Sequence, residues 1–338
     1  MAKYNILIAG CTGYIGLQLV KLLINHKGIN IKYLCGSSSI GRNINYYDKT
    51  IKKKLPKISK FNSSMLNNID IIFTALPNGE AQKISKYLKQ HNTLIDLSGD
   101  FRVNKQLYLK WYKKKHLAPE NIKKSIYSLP ELTRENLKKY QIISCPGCYP
   151  TSVLLPLLPL IEKKLIYTKN IIIDSKSGYS GAGRGVHKKF KKKNLYESLS
   201  VYGIGFHRHN PEIESQLIKR TKEKIEFNFT PHLSPMFRGI LSTIYVELKN
   251  NCTQKTVTKY LKKYYKNDYF VNIVENNKNL STNDVINTNF CNISISKTKY
   301  KNKLVIASVI DNLIKGGSGQ AIQNMNKKFN FSSKKGLV

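Results

Sequence analysis

The sequence predicts an α/β protein in two domains, a parallel strand–helix alternation followed by a strand-rich α+β part. Three observations predict it. At 338 residues the chain is long enough for about two domains. Its first half alternates short apolar runs with helical stretches, the signature of a parallel sheet. After Lys164 the rhythm changes to successive strands, which a purely alternating fold does not produce.

The first element is the run Tyr4-Asn5-Ile6-Leu7-Ile8-Ala9, mostly apolar and suited to a strand buried on both faces. Gly10-Cys11-Thr12-Gly13-Tyr14-Ile15-Gly16 follows, then a helix from Leu17 to Ile24. Strand, glycine turn and helix open a Rossmann-type dinucleotide-binding domain, in which the backbone approaches a pyrophosphate at the helix N-terminus. The spacing is G-x-x-G-x-x-G rather than G-x-G-x-x-G, so an ordinary tight turn is the competing reading. Gly10, Thr12, Gly13, Tyr14, Ile15 and Gly16 are the candidate cofactor residues here.

A second strand runs from Ile31 to Cys35 and ends in Gly36-Ser37-Ser38-Ser39-Ile40-Gly41-Arg42. NAD sites usually place an acid there, on the ribose 2′-hydroxyl. Ser37, Ser38 and Arg42 suit a 2′-phosphate instead, so NADP is expected, with Arg42 as a plain surface charge the alternative. Ile69 to Leu76 is another buried strand, ending in Pro77-Asn78-Gly79, and a helix is expected from Glu80 to Gln90. Thr93 to Leu97 is a strand ending in Ser98-Gly99-Asp100-Phe101-Arg102, and Lys105 to His116 a basic helix. Such carboxyl ends line the ligand crevice of an open parallel sheet, which adds Leu76 and Pro77 to the cofactor candidates.

Ser144-Cys145-Pro146-Gly147-Cys148-Tyr149-Pro150-Thr151 stands between a strand-like Gln141-Ile142-Ile143 and an apolar helix from Thr151 to Lys164. Cys148 is thus a thiol at a strand-to-helix turn. The helix dipole there favours a thiolate, and backbone N–H groups can hold an oxyanion. A buried structural thiol, a Cys145–Cys148 redox pair and half a zinc site are the alternatives. Zinc needs about four ligands, and the chain has no second Cys-x-x-Cys.

In the second half, Asn170 to Asp174 reads as a strand running into Ser175-Lys176-Ser177-Gly178-Tyr179-Ser180-Gly181-Ala182-Gly183-Arg184-Gly185, a phosphate cradle or a flexible loop. Gly205-Phe206-His207-Arg208-His209-Asn210-Pro211-Glu212 follows. Asn210 is expected to cap a helix with Pro211 at its first position. His207 and His209, two apart on an extended segment, face one way and suit proton transfer. Strands are expected within Ile225 to Lys249, around Pro235-Met236-Phe237-Arg238-Gly239, where Arg238 suits a carboxylate. A helix from Thr253 to Tyr265 precedes strands at Phe270 to Val274, Asn292 to Ser296 and Leu304 to Ile310. Asp311-Asn312-Leu313-Ile314-Lys315-Gly316-Gly317-Ser318-Gly319-Gln320 opens a last helix to about Lys327.

Composition narrows the function classes. The net charge of +37 would suit a nucleic-acid partner, but it is carried overwhelmingly by Lys on nearly every helix and turn, without a stripe. It reads as compositional drift, and no specific nucleic-acid partner is expected. The best apolar run, Val153 to Ile161, is broken by Pro156 and Pro159 and is too short to span a bilayer, so no membrane partner is expected. Ile8-Ala9-Gly10-Cys11 resembles a lipoprotein cleavage box but lacks the preceding apolar length, and it reads as a strand and a turn. Six cysteines in this length make no disulfide framework, so a cytoplasmic location is expected.

Together these residues resemble the N-acetyl-γ-glutamyl-phosphate reductases, relatives of the aspartate-semialdehyde and glyceraldehyde-phosphate dehydrogenases. The resemblance covers almost the whole chain. It rests on Gly10 to Gly16, Ala75 to Gly79, Asp96 to Arg102, Leu129 to Leu132, Pro146 to Thr151, Ser177 to Arg184, His207-Arg208-His209 with Pro211-Glu212, Arg238-Gly239, and Asp311-Asn312-Leu313 with Lys315-Gly316. It departs at Ser37-Ser38, where the family often has Ser-Arg, at Ser128 where Gly is usual, and at Phe237 where a polar residue is common.

The resemblance implies a second domain like the C-terminal domain of glyceraldehyde-phosphate dehydrogenase. It implies a cofactor domain of residues 1–147 with 313–338, a catalytic and oligomerisation domain of residues 148–312, and a homo-oligomer. It implies Cys148 as nucleophile, His209 or His207 as acid/base, and NADP as cofactor, with Gly317 beside it. Ser180, Gly181, Arg184 and Arg238 become candidates for a small acyl-phosphate substrate. The implied reaction is the reduction of N-acetyl-γ-glutamyl phosphate through a cysteine thioester, with an aspartyl-phosphate reductase as the rival.

Overall fold

The computed structural model describes residues 3–37, 39–184, 197–249, 251–275 and 279–338. They form two compact units, one of Met1–Gly147 with Gly317–Val338 and one of Cys148–Gly316. No helix among the described residues is long and apolar enough to cross a membrane.

The first unit holds a seven-stranded sheet in the order β3-β2-β1-β4-β5-β7-β6. Its strands are β1 (Tyr4–Ala9), β2 (Ile29–Cys35), β3 (Ile58–Ser59), β4 (Ile71–Thr74), β5 (Thr93–Asp96), β6 (Ser125–Tyr127) and β7 (Ile142–Ser144). Every pairing is parallel. Central strands of such a sheet are covered on both faces, and Ile6, Leu7, Ile8, Ile71, Ile72, Phe73, Leu94 and Ile95 are fully buried. Helix α1 (Tyr14–Leu23) covers one face with Leu19, Val20 and Leu23. Ala81 and Ile84 of α2 (Glu80–Ser85) pack on the other.

The helix expected to reach Gln90 stops at Ser85. Asn92 explains the early end. Its Oδ1 takes the Lys89 N–H at 2.7 Å, and its Nδ2 donates to the Leu66 and Ile69 carbonyls, so the chain is drawn out of the helix into the start of β5. Helix α3 (Lys105–Tyr112) ends four residues before His116 because Lys113 turns left-handed, with φ of 56°.

The second unit holds a mixed seven-stranded sheet in the order β12-β13-β14-β11-β8-β10-β9. Its strands are β8 (Ile171–Gly178), β9 (Ser200–Val201), β10 (Phe227–Ser234), β11 (Ile240–Glu247), β12 (Val271–Val274), β13 (Cys291–Lys297) and β14 (Lys303–Ile310). β11 alternates buried Ile240, Ser242, Ile244 and Val246 with less buried neighbours, the period of a strand covered on one face. Helices α4 (Cys148–Glu162), α5 (Asn210–Thr221) and α6 (Gln254–Tyr264) belong to this unit; α4 packs on β11 and β14 and against both other helices. A π-helical turn, Ile314–Ser318, precedes the last helix, α7 (Gly319–Lys328), whose Ala321, Ile322 and Met325 join the core of the first unit.

Candidate active site

Cys148 is the first residue of α4, three residues earlier than the expected helix start, and it is half-buried. The first turn of α4 is seated by a chain of hydroxyls. Ser152 Oγ donates to the Tyr149 carbonyl at 2.9 Å and shares a hydrogen bond with Ser242 Oγ at 2.7 Å, which meets Ser175 Oγ at 2.7 Å. These contacts tie helix α4, which Cys148 opens, to β8 and β11 through groups that are otherwise costly to bury.

Cys145 is fully buried in the first unit. Burial pushes its thiol up to about 12, and Asn324 Nδ2 lies 3.6 Å from its sulfur. Such a thiol is chemically inert. No group of His, Cys, Asp or Glu among the described residues could hold a metal.

Tyr149 organises the histidines. Its buried ring stands edge-on to His207 at 5.6 Å, to His209 at 5.8 Å and to Phe229 at 5.3 Å. Its hydroxyl donates to the His232 carbonyl at 3.0 Å and accepts from Tyr202 at 3.2 Å. The two imidazoles lie 4.7 Å apart. They share one side of Tyr149, but not through the extended segment expected: Gly203 and Gly205 have φ of 61° and 73° and set a turn just before His207. Asn210 is likewise not the cap. Helix α5 begins at Asn210, with His209 at the capping position and no side-chain cap bond.

The two histidines have different partners. Nδ1 of His207 accepts the backbone N–H of His209 at 3.2 Å. Burial first, and the charge of Arg208 second, lower His207 to about 4. Its ring is therefore neutral near pH 7, with its proton on Nε2. Nε2 of His209 lies 4.0 Å from Oε2 of Glu212, a residue with no exposed surface. The Pro211-Glu212 pair marked this helix start in the sequence. Glu212's place three residues beyond His209, one helical turn away, was the sequence signal for this contact.

The loop from Gly178 to Ser180 is laced to residues 236–239: Gly178 N–H to the Gly239 carbonyl at 2.9 Å, Tyr179 N–H to Met236 and Ser180 N–H to Phe237 at 3.0 Å each. Asn312 closes the same cluster, donating to Ser180 Oγ at 3.0 Å and accepting from Gly239 N–H at 2.7 Å. Ser180 is buried and Gly181 exposed. Arg184 is exposed at the edge of the described residues. Arg238 donates from Nη1 to Asp311 Oδ2 at 3.1 Å and to Asn287 Oδ1 at 2.8 Å.

In the first unit, Gly10 begins the turn with φ of 82°, where a Cβ would meet the Ala75 carbonyl at 2.2 Å. Only glycine fits. Gly13 N–H closes the turn on the Gly10 carbonyl at 3.1 Å, and Tyr14, Ile15 and Gly16 enter α1. Thr12 lies in the same turn, and Leu76, two residues past the end of β4, reaches within 3.2 Å of that missing Cβ, with Pro77 next to it. At the end of β2, Ser37 and Arg42 follow Cys35, and the Arg42 guanidinium lies 4.4 Å from the centre of the Tyr46 ring. Ser38 lies outside the described residues. Gly317 falls within the π-helical turn. The carboxyl end of β5 carries a buried acid: Asp96 Oδ1 accepts from Thr74 Oγ1 at 2.8 Å and Ser98 N–H at 2.9 Å. Burial, and then the nearby Asp100, raise its carboxyl above the ordinary range.

Comparison with known proteins agrees with this division. Residues 5–140 match the family model of the semialdehyde dehydrogenase NAD binding domain, and residues 148–312 that of the semialdehyde dehydrogenase dimerisation domain. The N-acetyl-gamma-glutamyl-phosphate reductase of Ehrlichia canis is 39% identical over 339 residues, covering 99% of this chain and 97% of its own. The structure of aspartate semialdehyde dehydrogenase II from Vibrio cholerae superposes with a TM-score of 0.73 at 15% identity, over 98% of this chain and 99% of that one. The aspartate semialdehyde dehydrogenase of Candida albicans, solved with NADP, superposes at 0.70 and 16% identity, over 97% and 99%. At such identities these structures speak for the fold alone.

Proposed function

The chain belongs to the N-acetyl-γ-glutamyl-phosphate reductases within the semialdehyde dehydrogenases, and from that premise we propose that it carries out their reaction in arginine biosynthesis. N-Acetyl-γ-glutamyl phosphate and NADPH would give N-acetylglutamate 5-semialdehyde, phosphate and NADP. One observation carries the proposal: Cys148 opens a helix whose next residue, Tyr149, holds both His207 and His209 on its ring.

The Cys148 sulfur attacks the acyl carbon, forming a C–S bond and an oxyanion that backbone N–H groups at a helix start stabilise. The C–O bond to phosphate then breaks, leaving a thioester. A nicotinamide held by the first unit would supply the hydride that takes the acyl group to the level of the aldehyde. Release of the aldehyde re-forms its C=O as the C–S bond breaks and returns the electron pair to the Cys148 sulfur as thiolate, and a side chain that holds a proton at the substrate oxygen and takes it back serves this step. His209 is assigned this proton transfer, because Glu212 lies behind its Nε2 and stabilises the charged ring. His207, neutral and held through Nδ1, is assigned to orient the substrate with its Nε2–H.

The glycine turn fits a dinucleotide, since Gly10 lets the chain turn tightly against the Ala75 backbone and Gly13, without a side chain, stands at the N-terminus of α1, where a pyrophosphate is held. NADP is favoured over NAD because the end of β2 offers Ser37 and an Arg42 stacked on Tyr46, and no acid. Ser180, Gly181 and Arg184 are proposed for the substrate's polar groups, and a homo-oligomer for the assembly. The test is phosphate-dependent reduction of NADP by N-acetylglutamate semialdehyde with purified protein. Aspartate semialdehyde should be oxidised far more slowly, and the reverse preference would overturn the assignment.

A further inference from the structure

We infer that Asp311 and Gly316 are positioning residues that hold the Cys148 thiol in place, through the turn that follows β14. The inference rests on the reading of Cys148 as nucleophile. Asp311 has no exposed surface. Its Oδ1 accepts the N–H groups of Leu313 at 2.8 Å and Ile314 at 3.1 Å. Its Oδ2 accepts the Asn287 N–H at 2.8 Å and Nη1 of Arg238 at 3.1 Å. Its backbone carbonyl accepts the Gly316 N–H at 2.9 Å. Two donors on each carboxylate oxygen fill the acceptor sites of the group, so Asp311 acts on its own loop and not on substrate.

The loop so fastened ends against the nucleophile. A Cβ built on Gly316 would stand 2.7 Å from Cys148 Cβ, 3.2 Å from Cys148 Cα and 3.2 Å from Ile310 Cδ1. Real Cβ atoms do not approach so closely. The Gly316 backbone is therefore a wall against the Cα and Cβ that carry the thiol, and the Asp311 carboxylate sets where the wall stands. Arg238 anchors the carboxylate from the other side and is itself held by Asn287 Oδ1 at 2.8 Å. This gives Arg238 a structural task distinct from binding substrate.

A misplacement of about 1 Å at a reacting group costs roughly a hundredfold in rate. The experiment compares Gly316→Ala, Asp311→Asn, Arg238→Met and Arg238→Lys with wild type. Steady-state kinetics are measured alongside the pH dependence of iodoacetamide alkylation at Cys148, read by mass spectrometry of its peptide. Gly316→Ala and Asp311→Asn are expected to lower kcat by about ten- to a hundredfold with little change in KM, and to shift the alkylation profile. Arg238→Lys should recover most of the rate lost in Arg238→Met.

Should Gly316→Ala fail to fold, Asp311→Asn, close in size and shape, carries the same comparison. Wild-type kcat and an unmoved alkylation profile in the folded variants would overturn the inference. Cys148→Ser separates this from the premise: turnover retained there removes the nucleophile, whereas an inactive Cys148→Ser beside unmoved alkylation in the other variants removes the positioning role alone.

Discussion

The backbone N–H of His209 donates to Nδ1 of His207 at 3.2 Å. That bond makes the two histidines unequal. His207 must keep Nδ1 bare to accept it, whereas His209 turns its Nε2 toward Glu212. His209→Asn is therefore expected to lower kcat by at least about a hundredfold with little change in KM, the size of a lost general acid/base. His207→Asn should act more on KM. In pH–rate profiles one limb should vanish only in His209→Asn, and its loss in His207→Asn instead would reverse the roles.

Acid stability should carry the mark of His207. The unfolded ring protonates near about 6.5 and the folded ring near about 4. Between these values the unfolded state binds more protons, so stability is lost as pH falls through that window, on the order of 3 kcal/mol. Asp96 works in the opposite sense, since its raised carboxyl favours the folded state at low pH and loses that contribution as pH rises. Urea unfolding from pH 7 to pH 4 checks both: His207→Asn should flatten the acid-side fall, and Asp96→Asn should steepen it.

The two neighbouring cysteines should separate cleanly. Cys148→Ser is expected to abolish turnover while still binding cofactor. Cys145→Ser should keep substantial activity, because its buried thiol sits at about 12 and does not ionise. Complete loss of turnover in Cys145→Ser, with the fold intact by circular dichroism, would restore the redox-pair reading.

The cofactor preference should follow Arg42. A charged contact with a 2′-phosphate contributes roughly 1.5–3 kcal/mol, so Arg42→Ala should reduce kcat/KM for NADPH by about tenfold or more and change NADH little. Equal losses with both cofactors would take Arg42 out of the 2′-phosphate site.

The parts of the site legible in the sequence are those where the chemistry lies in consecutive residues. Gly10 to Gly16 and Cys148 beside a helix start are of this kind, and so is the His207-Arg208-His209 run. What stayed hidden depends on where a side chain ends up. Arg238 reads as an anion-binding residue, yet Nη1 meets Asp311, 73 residues away. Asn92 shortens α2 by bonding Lys89 and two carbonyls from another loop, which no helix propensity encodes. The turn before His207 depended on two glycines adopting positive φ, where spacing alone suggested an extended chain.

Helix α7 has a consequence for the order of assembly. Ala321, Ile322 and Met325 fill the same core as Ile6, Ile8 and Val20. Asn324 Nδ2 donates to the Ser128 carbonyl, 196 residues earlier, and Ser128 Oγ donates back to Asn324 Oδ1 at 2.6 Å. A chain emerging from the ribosome builds the first unit's sheet early but receives its last core-filling helix only after the whole second unit has been made. During that interval the first unit waits with an open apolar slot, an aggregation-prone state, while the continuous second unit is free to fold. Chains truncated before Gly317 should thus show protease resistance from residue 148 onward and rapid cleavage before it. Resistance throughout would mean that the first unit closes without α7.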